Sequence, residues 1–180
     1  RIISEISNGF LTMVLTPLFG IFSTSIELFQ KVSLSLAYLL ATTLPFLILK
    51  KMGKISDYEF TDRRERPPYF LSVSMLYGVL SLIVYGFQIP FLSEIALALF
   101  LTSATISFIT LFWKISGHMT YSTLLFCTLA YLFSPSFFLL FLFSPFIGWS
   151  RIVLKKHTLL QVIGGTVVTF LICVLIYWVF

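Results

Sequence analysis

Charge is scarce in this chain: Lys, Arg, Asp and Glu make up 11% of its 180 residues, against about a quarter in soluble domains. A folded domain of this size leaves about a third of its surface exposed, and so few charges cannot cover it. Histidine is rarer still, with only His118 and His157. The two cysteines, Cys127 and Cys173, lie inside apolar runs without metal-ligand spacing, which excludes a cysteine metal site and leaves them as small buried hydrophobes. No carboxylates or histidines cluster at the spacing of a two-metal centre, so neither a metal nor a cofactor is expected. The apolar stretches carry Ser and Thr but no midspan charge, which argues against coupled ion or solute transport. There is no internal repeat, no low-complexity linker and no signal peptide in the sequence given. No feature points to a nucleic-acid partner.

What is present is apolar and aromatic surface. Hydrophobic residues account for 58% of the chain, 21 of them Phe, and mean hydropathy is +1.01. So many apolar side chains exceed what one small core can hide, and lipid is the natural solvent for the rest. A membrane-spanning helix needs about 20 residues. Candidate spans are Phe10–Leu28, Val32–Leu49, Tyr69–Phe87, Phe91–Trp113, Met119–Phe133, Phe137–Trp149 and Thr158–Phe180. Phe29–Lys31 separates the first two, and the first contains Pro17 and Gly20, which predict a kinked or partly inserted helix. The expected fold is therefore all-α, a polytopic transmembrane bundle of six to seven helices. It forms one integral membrane domain over residues 1–180, with an N-terminal hairpin over 1–50.

Counting crossings brings three distant segments to one membrane face: the polar loop Lys50–Pro68, Lys114–His118 and Ser150–His157. That face also takes Arg1, so that Lys31 is the single Lys or Arg assigned to the other side. Both histidines lie there, each directly before an apolar helix.

The chemistry these segments suggest is anion chemistry. Arg151 offers a planar fork for two phosphate oxygens, and Lys155 and Lys156 add charge beside it. His157 can attack phosphorus as a neutral imidazole. Gly117 lets the backbone approach an anion at a helix start, Ser116 can donate from its hydroxyl, and His118 is placed to protonate a departing alkoxide. Lys114 precedes them. In Arg63-Arg64-Glu65-Arg66-Pro67-Pro68, Pro67 is expected to force Arg66 into an extended conformation. Arg66, with Arg63, would complete an electropositive cradle.

Together these pieces resemble the three signature motifs of the phosphatidic acid phosphatase type 2 and vanadium haloperoxidase superfamily. That pattern runs Lys-x-x-x-x-x-x-Arg-Pro, then Pro-Ser-Gly-His, then Ser-Arg-x-x-x-x-x-His-x-x-x-Asp. Arg66-Pro67 matches the end of the first, Ser116-Gly117-His118 the second, and Ser150-Arg151 with His157 the third; the likeness spans about residues 63–180. The chain departs from it at Glu59 in place of Lys, Ile115 in place of Pro, and Gln161 in place of Asp. Gln161 lies one helical turn beyond His157, so its amide oxygen can hold the imidazole without adding charge.

The resemblance implies a membrane lipid-phosphate phosphatase that hydrolyses a phosphomonoester or pyrophosphate through a phospho-histidine. His157, His118 and Gln161 would be its catalytic residues, and Arg66, Arg151, Ser116, Gly117, Arg63 and Lys114 would bind phosphate. Its partners would be a lipid phosphate and the bilayer of a bacterial-type inner or plasma membrane. The Lys and Arg bias puts the active face in the cytoplasm, whereas many bacterial members of the family work at the outer face. Two alternatives are a weak or inactive relative that binds lipid phosphates, suggested by Glu59 and Gln161, and a small membrane accessory or transport protein.

Overall fold

The computed structural model describes residues 9–57 and 59–179. Arg1 and Phe180, which enter the charge and span assignments above, lie outside them. Among the described residues seven α-helices follow in order: α1 (Gly9–Ser23), α2 (Leu28–Lys51), α3 (Arg66–Gly86), α4 (Leu92–Phe112), α5 (Gly117–Leu132), α6 (Ser144–Val153) and α7 (Leu159–Val174). A 3-10 turn, Arg63–Glu65, leads into α3. A 3-10 stretch, Pro135–Phe143, leads into α6, and a π-helical turn, Leu175–Val179, extends α7. The all-α bundle expected from the sequence is what forms, and the described residues contain no strand.

Among the described residues five continuous helical segments are long and apolar enough to cross a membrane: Leu28–Lys51, Arg63–Gly86, Leu92–Phe112, Pro135–Val153 and Leu159–Val179. α1 and α5 are shorter, at 15 and 16 residues. At about 1.5 Å per residue such helices reach about 24 Å, less than the roughly 30 Å hydrocarbon layer. Large apolar side chains such as Leu36, Leu47, Leu82, Phe108, Leu160 and Leu171 remain exposed along the bundle. A soluble protein rarely leaves so continuous an apolar surface in water.

α5 is the axis of the bundle. Eleven of its sixteen residues are buried, and it packs on α1, α7, α4, α6 and the 3-10 stretch. α3 and α4 form the most extensive helix pair beside it. Hydroxyl pairs lock the interior: Thr42 with Tyr77 at 2.6 Å, Ser103 with Tyr121 at 3.0 Å, and Thr128 with Tyr177 at 2.9 Å. Such contacts contribute about 1 kcal/mol each inside a membrane protein.

Three local expectations are corrected. Phe29–Lys31 does not break the chain but opens α2, because Glu27 and Gln30 form a capping box there. α6 continues past Trp149 to Val153, which places Ser150 and Arg151 within its last turns; the exit comes at Lys155, whose φ of 55° reverses the chain. Arg66 is helical (φ −74°, ψ −46°) rather than extended. Pro67 and Pro68 occupy the first turn of α3, where a missing N–H costs nothing, and two hydrogen bonds from the Arg66 side chain hold the helix start in place.

Candidate active site

The three charged segments meet at one end of the bundle, tied by hydrogen bonds between them. Arg66 Nη1 donates to the Ile115 carbonyl at 2.7 Å and its Nε to the Phe60 carbonyl at 3.1 Å. The Ser116 amide donates to the Gln161 carbonyl at 3.1 Å. Lys114 Nζ donates to the Thr61 carbonyl at 2.8 Å, and Lys156 Nζ to Thr61 Oγ1 at 3.0 Å. Ile115, where the resembled motif has Pro, gives its carbonyl to Arg66, buries its side chain in the core, and donates its amide to the Trp113 carbonyl at 3.1 Å, a bond that Pro would lack.

Between the segments lies a cavity of about 50 Å³, lined by Glu59, Arg66, Gly117, His118 and His157 on its polar side and by Gly9, Phe10, Met13, Phe60, Tyr69, Phe70 and Tyr121. That is several times the roughly 10–15 Å³ one water needs, suited to a small polar group rather than to a hydrocarbon chain.

His157 is 7% exposed and its Nδ1 lies 3.1 Å from Gln161 Oε1. The same Oε1 receives the Thr158 backbone N–H at 3.2 Å. A backbone amide can only donate, so this atom is the amide oxygen; Nδ1 must then carry the proton, and Nε2 keeps its lone pair. Burial, then the charge of Arg66, pulls the His157 pKa down to about 3, with the Gln161 bond opposing and Arg151 and Lys114 reinforcing. The imidazole is therefore neutral throughout the physiological range, the state a nitrogen nucleophile needs.

The remaining predicted residues divide by position. Gly117 and His118 line the cavity with Arg66; a Cβ built on Gly117 would come no nearer than 4.0 Å to Phe70 Cζ, so the wall is open there. Arg151 is 1% exposed and stands off the cavity, its Nη1 3.5 Å from Glu59 Oε1; its carbonyl receives the Lys156 and His157 amides and so shapes the turn. Ser116 is fully buried and caps α5, accepting the Met119 amide at 3.5 Å, so it is not on the cavity wall. Ser150 Oγ is turned back to the Ile147 carbonyl at 2.7 Å. Arg63 points away from the site and donates to the Thr110 and Leu111 carbonyls at the end of α4, where a cation is favoured by the helix dipole. Lys114 borders the site; burial, then the charge of Arg66, Lys156 and Arg151, keeps its pKa below the ordinary lysine value.

Three contributors were not assigned to the site from the sequence. Glu59 lines the cavity and bridges Arg151 at 3.5 Å and Lys156 at 2.8 Å. Burial raises its carboxyl pKa, but Lys156 and Arg151 outweigh this and hold it below the usual carboxylate range. Gly165 lets α7 approach α5: a Cβ there would lie 2.8 Å from the Ser116 carbonyl oxygen, and a mid-helix Gly-Gly pair is a signal for such an approach. α1 supplies Gly9, Phe10 and Met13 to the wall, although the motifs begin beyond it. With four cations (Arg66, Lys114, Arg151, Lys156) against Glu59 and Asp57, the site is built for an anion. No family model, curated protein or solved structure matches the chain.

Proposed function

We propose that this membrane protein hydrolyses a phosphomonoester or pyrophosphate of a lipid through a phospho-histidine on His157. The observation that carries the reading is one small cavity lined by both histidines of the chain together with Arg66 and the Gly117 backbone. His157 Nε2 attacks phosphorus while the bond from phosphorus to the lipid oxygen breaks, and His118 gives that oxygen a proton. Water then attacks phosphorus, the P–N bond breaks, and His118 takes the water's proton. Arg66 and the Gly117 amide meet the charge of the transferring group. Gln161 holds the productive tautomer but, being neutral, does not stabilise the imidazole as positive charge builds.

The test is phosphate release in detergent, with EDTA present, from a panel of phosphatidate, isoprenoid and sphingoid phosphates. The parent is expected to turn over at least one, and His157→Ala to lose at least about 10³-fold. Equal turnover by both proteins would remove His157 from the mechanism.

The excess of Lys and Arg around the cavity supports a cytoplasmic orientation of this face under the positive-inside rule. A reporter fused upstream of α3, between Met52 and Asp57, is expected to read as cytoplasmic; an external signal there would reverse the orientation.

A further inference from the structure

The position that departs most sharply from the resembled motifs is also the one the structure places in the cavity. Glu59 puts a carboxylate where a phosphate-binding lysine is expected. Its Oε2 lies 2.8 Å from Lys156 Nζ and its Oε1 3.5 Å from Arg151 Nη1. The carboxylate does not float on a loop. Its backbone amide is bound by Asp57 Oδ1 at 2.8 Å, and the next residue, Phe60, is buried at φ 50° with its carbonyl held by Arg66. Backbone conformations of that kind cost about 1–3 kcal/mol and persist where surrounding contacts over-determine them. The loop is thus held so that an anion shares the wall with Arg66, Gly117, His118 and His157.

A fixed carboxylate in an anion site discriminates by proton. A fully ionised phosphate places like charges side by side, which disfavours binding. A phosphate that keeps one proton can donate it to the carboxylate, in the short, strong class of O–H···O⁻ hydrogen bond. Resting on the phosphatase reading above, we propose that Glu59 is a specificity residue that restricts the cavity to the singly protonated phosphate group, accepting its P–OH. The cations that face the pair from every side are Arg151 at the end of α6, Lys156 in the turn before α7, Arg66 at the start of α3 and Lys114 before α5. His118 and His157 complete the circle, with Asp57 behind Glu59 in its own loop. Because Lys156 and Arg151 hold the Glu59 pKa low, the carboxylate is an acceptor over the whole range in which a phosphate ester, with a second pKa of about 6, changes its charge.

The experiment is calorimetric titration of the full chain in detergent with a halomethylphosphonate as the phosphate probe and with sulfate, near pH 5.5 and near pH 8, for the parent and for Glu59→Gln; the phosphonate is not hydrolysed, and like a phosphate ester it carries one proton at the lower pH and none at the higher. Sulfate carries no proton at either pH and serves as the dianion control. The parent is expected to bind the phosphonate at least about tenfold more weakly at the higher pH, and sulfate at least about tenfold more weakly than the phosphonate at the lower. Glu59→Gln is expected to bind the two anions alike and to lose the pH dependence. Retention of that dependence in Glu59→Gln would assign it to another group, His118 foremost, and overturn the proposal. So would parent protein that binds sulfate as well as the phosphonate, a result that needs no variant to fold and leaves the phosphate site standing. An equal gain in phosphonate affinity at both pH values in Glu59→Gln would make Glu59 a mere competitor for the cations, also against it. Absence of any anion binding to the parent would sink the phosphatase reading itself, and this inference with it.

Discussion

At the residue scale, the site turns on how one glutamine orients one histidine. Gln161 Oε1 takes both the Thr158 amide and His157 Nδ1, so in the proposed mechanism it would do the geometric part of a triad carboxylate's work and omit the charge. Gln161→Glu has the same length and can accept both hydrogen bonds while adding a negative charge beside the developing imidazolium. The variant is expected to release phosphate about tenfold faster at neutral pH. The sign of its pH effect follows from the same charge: a carboxylate favours the protonated ring, so the His157 pKa rises from about 3 and the acid limb of the rate profile moves to higher pH. An unchanged rate and an unshifted acid limb, measured by phosphate release across pH, would show that Gln161 acts only as a helix cap. His157, His118 and Gln161 were legible in the sequence because rare polar residues stand out in an apolar chain. The place of Glu59 was not, since a departure from a motif does not say where its side chain lies; only folding brings it to residues 92 and 97 positions later.

At the scale of elements, the site depends on where α5 begins and how closely α7 can approach it. The buried Ser116 cap, the Ser116–Gln161 backbone bond and Gly165 act as one joint. Gly165→Ala would set a methyl 2.8 Å from a backbone oxygen that cannot swing aside. Overpacking of that kind costs about 1–3 kcal/mol, so the variant is expected to melt at a lower temperature in detergent and to lose turnover in parallel. A melt and a rate both equal to the parent's would show that α7 can shift without disturbing the site. The helices themselves were readable from apolar runs, and α3, α4 and α5 begin and end within a few residues of the sequence reading. Their ends were less so. The Glu27–Gln30 capping box joined Phe29–Lys31 to α2, the side-chain bonds of Arg66 held it helical against the preference that Pro67 imposes, and α6 ran on to Val153. The first two are settled by capping and side-chain hydrogen bonds that hydropathy does not register, and the third by the chain reversal at Lys155. The 3-10 stretch Pro135–Phe143 was equally hidden, because its composition is as apolar as that of any helix here.

At the scale of the whole molecule, the described residues hold five apolar segments of spanning length and a short, buried central helix whose N-terminus lines the site. At 16 residues α5 reaches about 24 Å, less than the roughly 30 Å hydrocarbon layer. This arrangement suits a phosphate that remains attached to a membrane-embedded chain while it is cleaved. Apart from Arg66, Arg151 and His157 at the site, the buried polar side chains among the described residues are Ser and Thr hydroxyls, three of which pair with tyrosines across helices. The central claim is that His157 carries the phosphoryl group between two chemical steps. It is tested most directly by mixing the protein with a lipid phosphate that it turns over, quenching in alkali, where phospho-histidine survives, and mapping the added mass by peptide sequencing. The account predicts one phosphoryl group on His157, absent from His157→Ala. Turnover with an unmodified His157 in the quenched parent, under conditions that trap a known phospho-histidine control, would contradict it.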